Sequence, residues 1–155
     1  IFGREERAEE LVGAMQNEIA YVAEKTAHME RRPRALVIEL LGKEIRSYGA
    51  DTLAGDMMRA LGVDHLAAEG QSLSMEELIT LAPDAIFVVV IEDDYGNEDA
   101  ILARLYENPA LQDLMCVQQR RIYPIPLYAV YSAGIRTYDG ITIFAHGLYP
   151  QIYGE

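Results

Sequence analysis

A three-layer α/β domain, with a parallel sheet flanked by helices and a long N-terminal spine helix, is the fold the sequence predicts. Three observations predict it. Residues 35–41 and 85–91 are nearly continuous apolar runs with β-branched residues at their centres, as in strands buried on both faces. Segments with helical spacing and cap signals lie between and after these runs, so strand and helix alternate. Residues 4–31 contain no proline and repeat Leu11, Met15, Ile19, Val22, Thr26 and Met29 at three- and four-residue steps, which sets them on one helical face.

That first helix would span roughly 40 Å, more than one domain layer requires, so it reads as a spine shared with a further domain. Pro33 closes it and the first strand follows at 35–41. Residues 42–49 read as a loop with room for a short strand at 45–48. The next helix is expected to be capped by Asp51, stopped by Gly62, and to turn Leu53, Met57 and Leu61 inward. Ser74 and Glu77 stand at capping-box spacing, with Leu73 and Leu78 placed as a hydrophobic staple, and that helix ends near Pro83. The second strand, 85–91, leads through the acidic loop 92–99 to a helix ending near Leu105. Asn108-Pro109 carries the cap and first-turn chemistry of another short helix. Residues 121–126 read as a third strand. A tyrosine-rich loop then precedes a last helix at 137–148, with Tyr138, Ile141, Ala145 and Leu148 on one side.

Bulk properties narrow the function classes. At 155 residues the chain can bury a full core without disulfides. Its formal net charge of −12 is spread along the chain, which argues against nucleic acid as a partner. Cys116 is the single cysteine, so neither a disulfide framework nor a thiolate metal cage can form within the chain, and a buried structural thiol is the expected role. The apolar run ending at Ile91 is too short to cross a bilayer. Residues 1–4, Ile-Phe-Gly-Arg, look like an interior cut, which would put any targeting sequence upstream.

No catalytic or nucleotide template is present: there is no phosphate-binding glycine loop, no nucleophile elbow, no His-Glu-x-x-His and no paired cysteine. His28, His65 and His146 are far apart and are assigned surface or packing roles. Glu92, Asp93, Asp94, Glu98 and Asp99 do not match the spacing of a calcium loop and read as a solvated face, so no metal site and no cofactor is assigned. Were that loop to face a ligand, it would favour a neutral or cationic one.

In an open parallel sheet, ligands bind beyond the carboxyl ends of the strands, so the loops after residues 41, 91 and 126 should share one rim. Those loops supply Tyr48, Tyr95, Tyr128, Tyr131 and Arg136. Tyrosine offers a flat apolar face with a hydroxyl, and arginine a fixed fork of donors, a set suited to a bulky organic chelate.

The order of motifs resembles the C-terminal lobe of the periplasmic (ABC importer) solute-binding proteins for ferric siderophores, haem and cobalamin. The resemblance rests on Phe2-Gly3-Arg4-Glu5-Glu6-Arg7-Ala8, Arg32-Pro33-Arg34, Asp51-Thr52-Leu53-Ala54-Gly55-Asp56, Leu61-Gly62 and Ser74-Met75-Glu76-Glu77-Leu78. It continues through Ala82-Pro83-Asp84-Ala85-Ile86, Arg121-Ile122-Tyr123-Pro124-Ile125, Gly134-Ile135-Arg136 and Leu148-Tyr149-Pro150, and so covers nearly the whole chain. It implies that residues 1–31 form an interlobe spine helix, residues 32–155 a C-terminal α/β lobe, and that the N-terminal lobe is outside this chain. The implied function is that of the extracytoplasmic substrate-binding component of an ABC importer, a periplasmic protein or surface lipoprotein that delivers an iron–siderophore or related metal chelate to the permease. Arg136 with Tyr128 and Tyr131 would contact the chelate. Glu76 would dock into the permease, and residue chemistry agrees: the capping box occupies Glu77 and leaves Glu76 free in the first turn. The chain departs from the pattern in having no lipid-attachment cysteine and no tryptophan near the cleft loops. Two other readings stand beside this one. A tetrapyrrole metal chelatase would require a histidine and an acid converging in the cleft, and a stand-alone α/β interaction module would require a short first helix and a pocket of its own.

Overall fold

The computed structural model describes residues 2–131 and 133–154; Ile1, which opens the apparent interior cut, lies outside them together with Ser132 and Glu155. Helix α1 (Phe2–Thr26) leads to β1 (Arg34–Leu41), and a tight hairpin returns the chain as β2 (Glu44–Ser47). Gly42, with φ +61°, takes the first central position of that hairpin turn, where a left-handed backbone is needed. The chain continues through α2 (Leu53–Ala60), β3 (Asp64–His65), β4 (Ser72–Leu73), α3 (Met75–Leu81) and β5 (Ala85–Val90). A single 3-10 turn over Glu92–Asp94, α4 (Glu98–Tyr106), a second 3-10 turn over Pro109–Leu111 and α5 (Met115–Gln118) lead to β6 (Ile122–Pro126). Three helices end the fold: α6 (Leu127–Tyr131), α7 (Thr137–Leu148) and α8 (Pro150–Tyr153).

The six-stranded sheet runs β4-β2-β1-β5-β6, with β3 paired to the start of β1. Its centre is parallel: Ala35 pairs with Ala85, Ile38 with Val88, and Val90 with Pro126. The β1–β2 and β2–β4 pairings are antiparallel, so the predicted parallel sheet carries an antiparallel edge at one side.

Every residue of β5 is buried, and alternate side chains serve different layers. Val37, Phe87, Val89 and Ile125 pack with α2, α6 and α7 and with Val22 of α1, whereas Leu36, Ile38, Ile86 and Val88 pack with Leu78, Leu102, Leu105 and Leu111. Burying side chains of this size contributes about 1.5–3 kcal/mol each, which is why these two runs fix the sheet.

Three expectations are corrected. The spine helix ends at Thr26 rather than near 31, and Met29 is exposed outside it. Pro33 is not what stops it. Asp84 accepts from the Arg31 side chain at 2.7 Å and the Arg34 amide at 2.8 Å, and these tertiary bonds fix the segment entering β1. The cap of α2 is Thr52, whose Oγ1 accepts from the Gly55 amide and donates to the Gly49 carbonyl, while Asp51 is exposed. The tyrosine-rich stretch after β6 begins as helix α6 rather than loop.

The capping box at Ser74 and Glu77 forms as read, and Leu73 and Leu78 are buried in one cluster. No helix among the described residues is long and apolar enough to cross a membrane.

Candidate functional site

Parallel pairing brings the carboxyl ends of β5 and β6 together, and the segments leaving them build a hollow of about 310 Å³ lined by Glu92, Tyr95, Leu127, Tyr128, Tyr131 and Arg136. After β5, Asp94 accepts from the Ile91 amide, and the Gly96 amide donates to Glu98 at 2.9 Å. These local bonds, with Gly96 at φ +89°, turn residues 92–97 so that Tyr95 comes to the rim. After β6 the chain enters α6 with no intervening loop, and three-residue spacing sets Tyr128 and Tyr131 on one helical face. Arg136 precedes the first turn of α7, where the Gly134 amide donates to Thr137 Oγ1 at 3.0 Å.

The Arg136 guanidinium carbon lies 4.4 Å from the Tyr128 ring centroid, so the cation rests on an aromatic face and keeps its edge donors available. Tyr131 is 74% exposed and Tyr95 43%, a large aromatic surface left in water around one cation. The Tyr95 phenol is held above its usual range by desolvation first, then by Tyr128 and Glu92, with Arg136 opposing. The Tyr95 phenol therefore enters any encounter as a neutral donor.

Of the five predicted ligand residues, four meet at this hollow. Tyr48 does not line it. The loop after β1 is the short hairpin turn, and Tyr48 follows β2, where its amide donates to the Val37 carbonyl part-way down the sheet. The Tyr48 ring packs against the core, and burial, helped by Glu39 and Tyr131, pushes its phenol to about 12. Glu92 and Leu127 are the lining residues the sequence left out. Reading 127–131 as helix would have found Leu127, since it stands four residues before Tyr131.

Glu76 is exposed in the first turn of α3, and its side chain forms no hydrogen bond or ion pair with a described residue. Leu73 pairs with Ile45, and Ile45 with Leu40, which puts the start of α3 at the same end of the sheet as the hollow. His146 stacks on Tyr153 at 3.8 Å and is not part of the hollow. Among the described residues, no group of three His, Cys, Asp or Glu side chains is placed to hold a metal ion.

The family model described as periplasmic binding protein matches residues 1–129. The chain belongs to that family. It is 41% identical to a periplasmic binding protein from Veillonella parvula DSM 2008, with a TM-score of 0.91 over 99% of this chain and 48% of that one. It is 27% identical to the iron-uptake system-binding protein of Bacillus subtilis (strain 168) over 78% of this chain and 40% of the relative. It is 23% identical to the ABC transporter substrate-binding lipoprotein YvrC of the same organism over 99% of this chain and 48% of the relative. The chain thus spans about half the length of the curated relatives it matches.

Proposed function

We propose that this chain is the C-terminal half of a substrate-binding component of an ABC importer, working outside the cytoplasmic membrane on an iron–siderophore or related metal chelate. The observation that carries the reading is the hollow of three tyrosines and Arg136, open at the carboxyl ends of the parallel strands in a member of the periplasmic binding protein family. Related proteins named for ABC transport and iron uptake support it. The α1 rod supports a two-lobed parent: Val22 is buried and Leu11, Met15 and Ile19 half-buried against the lobe, while Val12 and Tyr21 remain exposed.

The chemistry of the rim suggests how it would act. Tyrosine faces would cover the organic shell of a chelate, phenol hydroxyls would donate to its oxygens, and Arg136, restrained on Tyr128, would fork to a hydroxamate or carboxylate edge. Glu92 lines the same hollow, and Asp93 and Asp94 follow it, so a neutral or cationic chelate is favoured over a polyanionic one. Exposed Glu76, at the same end of the sheet, would pair with a cation on the permease, and a loaded hollow and a docking group would thus share one end of the lobe.

Titrating the full-length protein with a cationic ferric tris-hydroxamate, read by quenching of tyrosine fluorescence, tests the reading. Arg136→Ala should weaken binding about tenfold, the loss of one charge-assisted anchor. Glu76→Ala should leave that affinity unchanged and lower stimulation of the transporter's ATPase. Failure of any ferric chelate to bind would remove the transport assignment, and equal affinity for a trianionic tris-catecholate would remove the charge preference alone.

A further inference from the structure

At the opposite end of the sheet, the segment entering β1 and the end of α2 enclose a second hollow of about 360 Å³. Arg31, Arg32 and Arg59 line it, and no acidic side chain does. In a chain of net charge −12 with 13 basic residues, three arginines share this lining, and the carboxylates that pair with Arg31 and Arg59 stand outside it.

Two of the three are already oriented. Arg31 donates through one terminal nitrogen to Asp84 at 2.7 Å, and Arg59 donates to Asp56 at 2.7 Å and to the Ala50 carbonyl at 3.0 Å. A guanidinium carries five N–H donors, so each keeps free ones after these bonds. Arg32, on the same lining, has no hydrogen bond or ion pair to a described residue and is the uncompensated charge of the group. Its field reaches the buried Tyr149 phenol at the floor, where it opposes the effect of burial. That phenol donates to the Leu61 carbonyl at 2.7 Å, so the floor is satisfied internally and does not compete for a guest.

A neighbouring hollow shares Arg31 and Arg32 and adds Arg121, but Glu30 and Asp84 line it too, which disfavours an anion there. Arg121 donates to the Gly147 and Leu148 carbonyls, while its buried Nε has no partner. The carbonyl ends of α1, α2 and α7 lie near these hollows and would repel an anion, but Arg121 covers those of α7, the Thr26 hydroxyl donates to the Val22 carbonyl of α1, and Tyr149 donates to the Leu61 carbonyl beyond α2.

We infer that the Arg31–Arg32–Arg59 hollow is a binding site for a phosphate-type oxyanion, separate from the chelate rim and at the other end of the lobe. Arg32 offers such a group an uncommitted fork, Arg31 and Arg59 keep spare N–H donors on the same lining, and Ala23 of α1 with Ala27 just beyond its end offers an apolar wall for whatever carries it. Free phosphate and a phosphomonoester lipid headgroup present the same oxygens.

The test uses the full-length protein and its Arg32→Gln, Arg59→Gln and Arg7→Gln variants, the last replacing an exposed arginine far along α1. Inorganic phosphate is titrated against potassium chloride of equal ionic strength and followed through backbone amide shifts at Leu61, Gly62 and Tyr149. Vesicles of phosphatidylcholine with and without phosphatidic acid are pelleted in parallel. Saturable phosphate shifts that chloride does not reproduce, weakened about tenfold in Arg32→Gln and Arg59→Gln and unchanged in Arg7→Gln, are the expected result. Pelleting only with phosphatidic acid, lost in the same two variants, would identify the headgroup as the source; absence of pelleting beside saturable phosphate shifts would identify the free ion. Shifts equal in phosphate and chloride without pelleting, or equal in all variants, overturn the site. Matching thermal midpoints for the variants exclude misfolding as the cause of a loss.

Discussion

Asp51 and Thr52 are adjacent, and both are good cap residues, yet only Thr52 has its oxygen over the Gly55 amide. Thr52→Ala should therefore lower stability by about 1 kcal/mol in a urea titration, and Asp51→Ala should leave it nearly unchanged. The reverse order would restore the aspartate as the cap. His65 makes a second case. Its Nδ1 lies 2.9 Å from the Ala67 carbonyl, which can only accept, so that nitrogen carries the proton. Nε2 is buried with no partner, and burial holds the imidazole below its ordinary value of 6.5. As pH falls through that value, the unfolded chain takes a proton that the folded chain refuses, so stability is present above it and declines as the pH drops below it. Chemical denaturation across this window should give a shallower slope for His65→Gln than for the parent; identical slopes would show that His65 is not the titrating group.

At the scale of elements, β6 illustrates how an exposed sheet edge is closed. The Arg121 carbonyl accepts from Ile86, so odd positions of β6 face β5, and Ile122, Pro124 and Pro126 turn their backbone outward. Two of those three residues have no amide hydrogen to offer another strand. The third is covered, because the Tyr106 hydroxyl accepts from the Ile122 amide and donates to its carbonyl, both at 3.0 Å. Tyr106→Phe keeps the ring under Arg120 and removes only this clasp. It should destabilise the fold by about 1–3 kcal/mol and speed hydrogen exchange at Ile122 above its neighbours. Unchanged protection at Ile122 would mean that water replaces the hydroxyl without loss.

Across the whole molecule, the site depends on how closely three helices stack beneath it. A Cβ on Gly140 of α7 would stand 2.6 Å from the Ala129 carbonyl of α6 and 3.0 Å from Met57 Sδ of α2. Met57 can swing aside, but the α6 backbone cannot move without carrying Tyr128 and Tyr131 with it. Gly140→Ala should thus cost about 1–3 kcal/mol and weaken the proposed chelate binding together. Gly13→Ala meets nothing within 4 Å and should be neutral or stabilising by about 0.5–1 kcal/mol, in keeping with alanine's better helix propensity. Equal stability of the two variants would show that α6 and α7 are not in obligatory contact.

The residues alone determined the layers and most of the rim. The strands at 35–41 and 85–91 were legible because burial on both faces leaves an unbroken apolar run, and the last helix because its period is regular and its bounds unobstructed. Tyr95, Tyr128, Tyr131 and Arg136 could be placed together because parallel strands carry their following loops to one end. Tertiary structure alone decided the rest. The β3 and β4 pairings are two residues long, too short to leave a period, and Tyr48 left the rim because a hairpin turn folded β2 back along β1. The segment entering β1 is held by Asp84, more than fifty residues from Arg31, and the arginine hollow exists only because α2 ends beside that segment. Neighbours distant in sequence made those choices, and local pattern holds no trace of them.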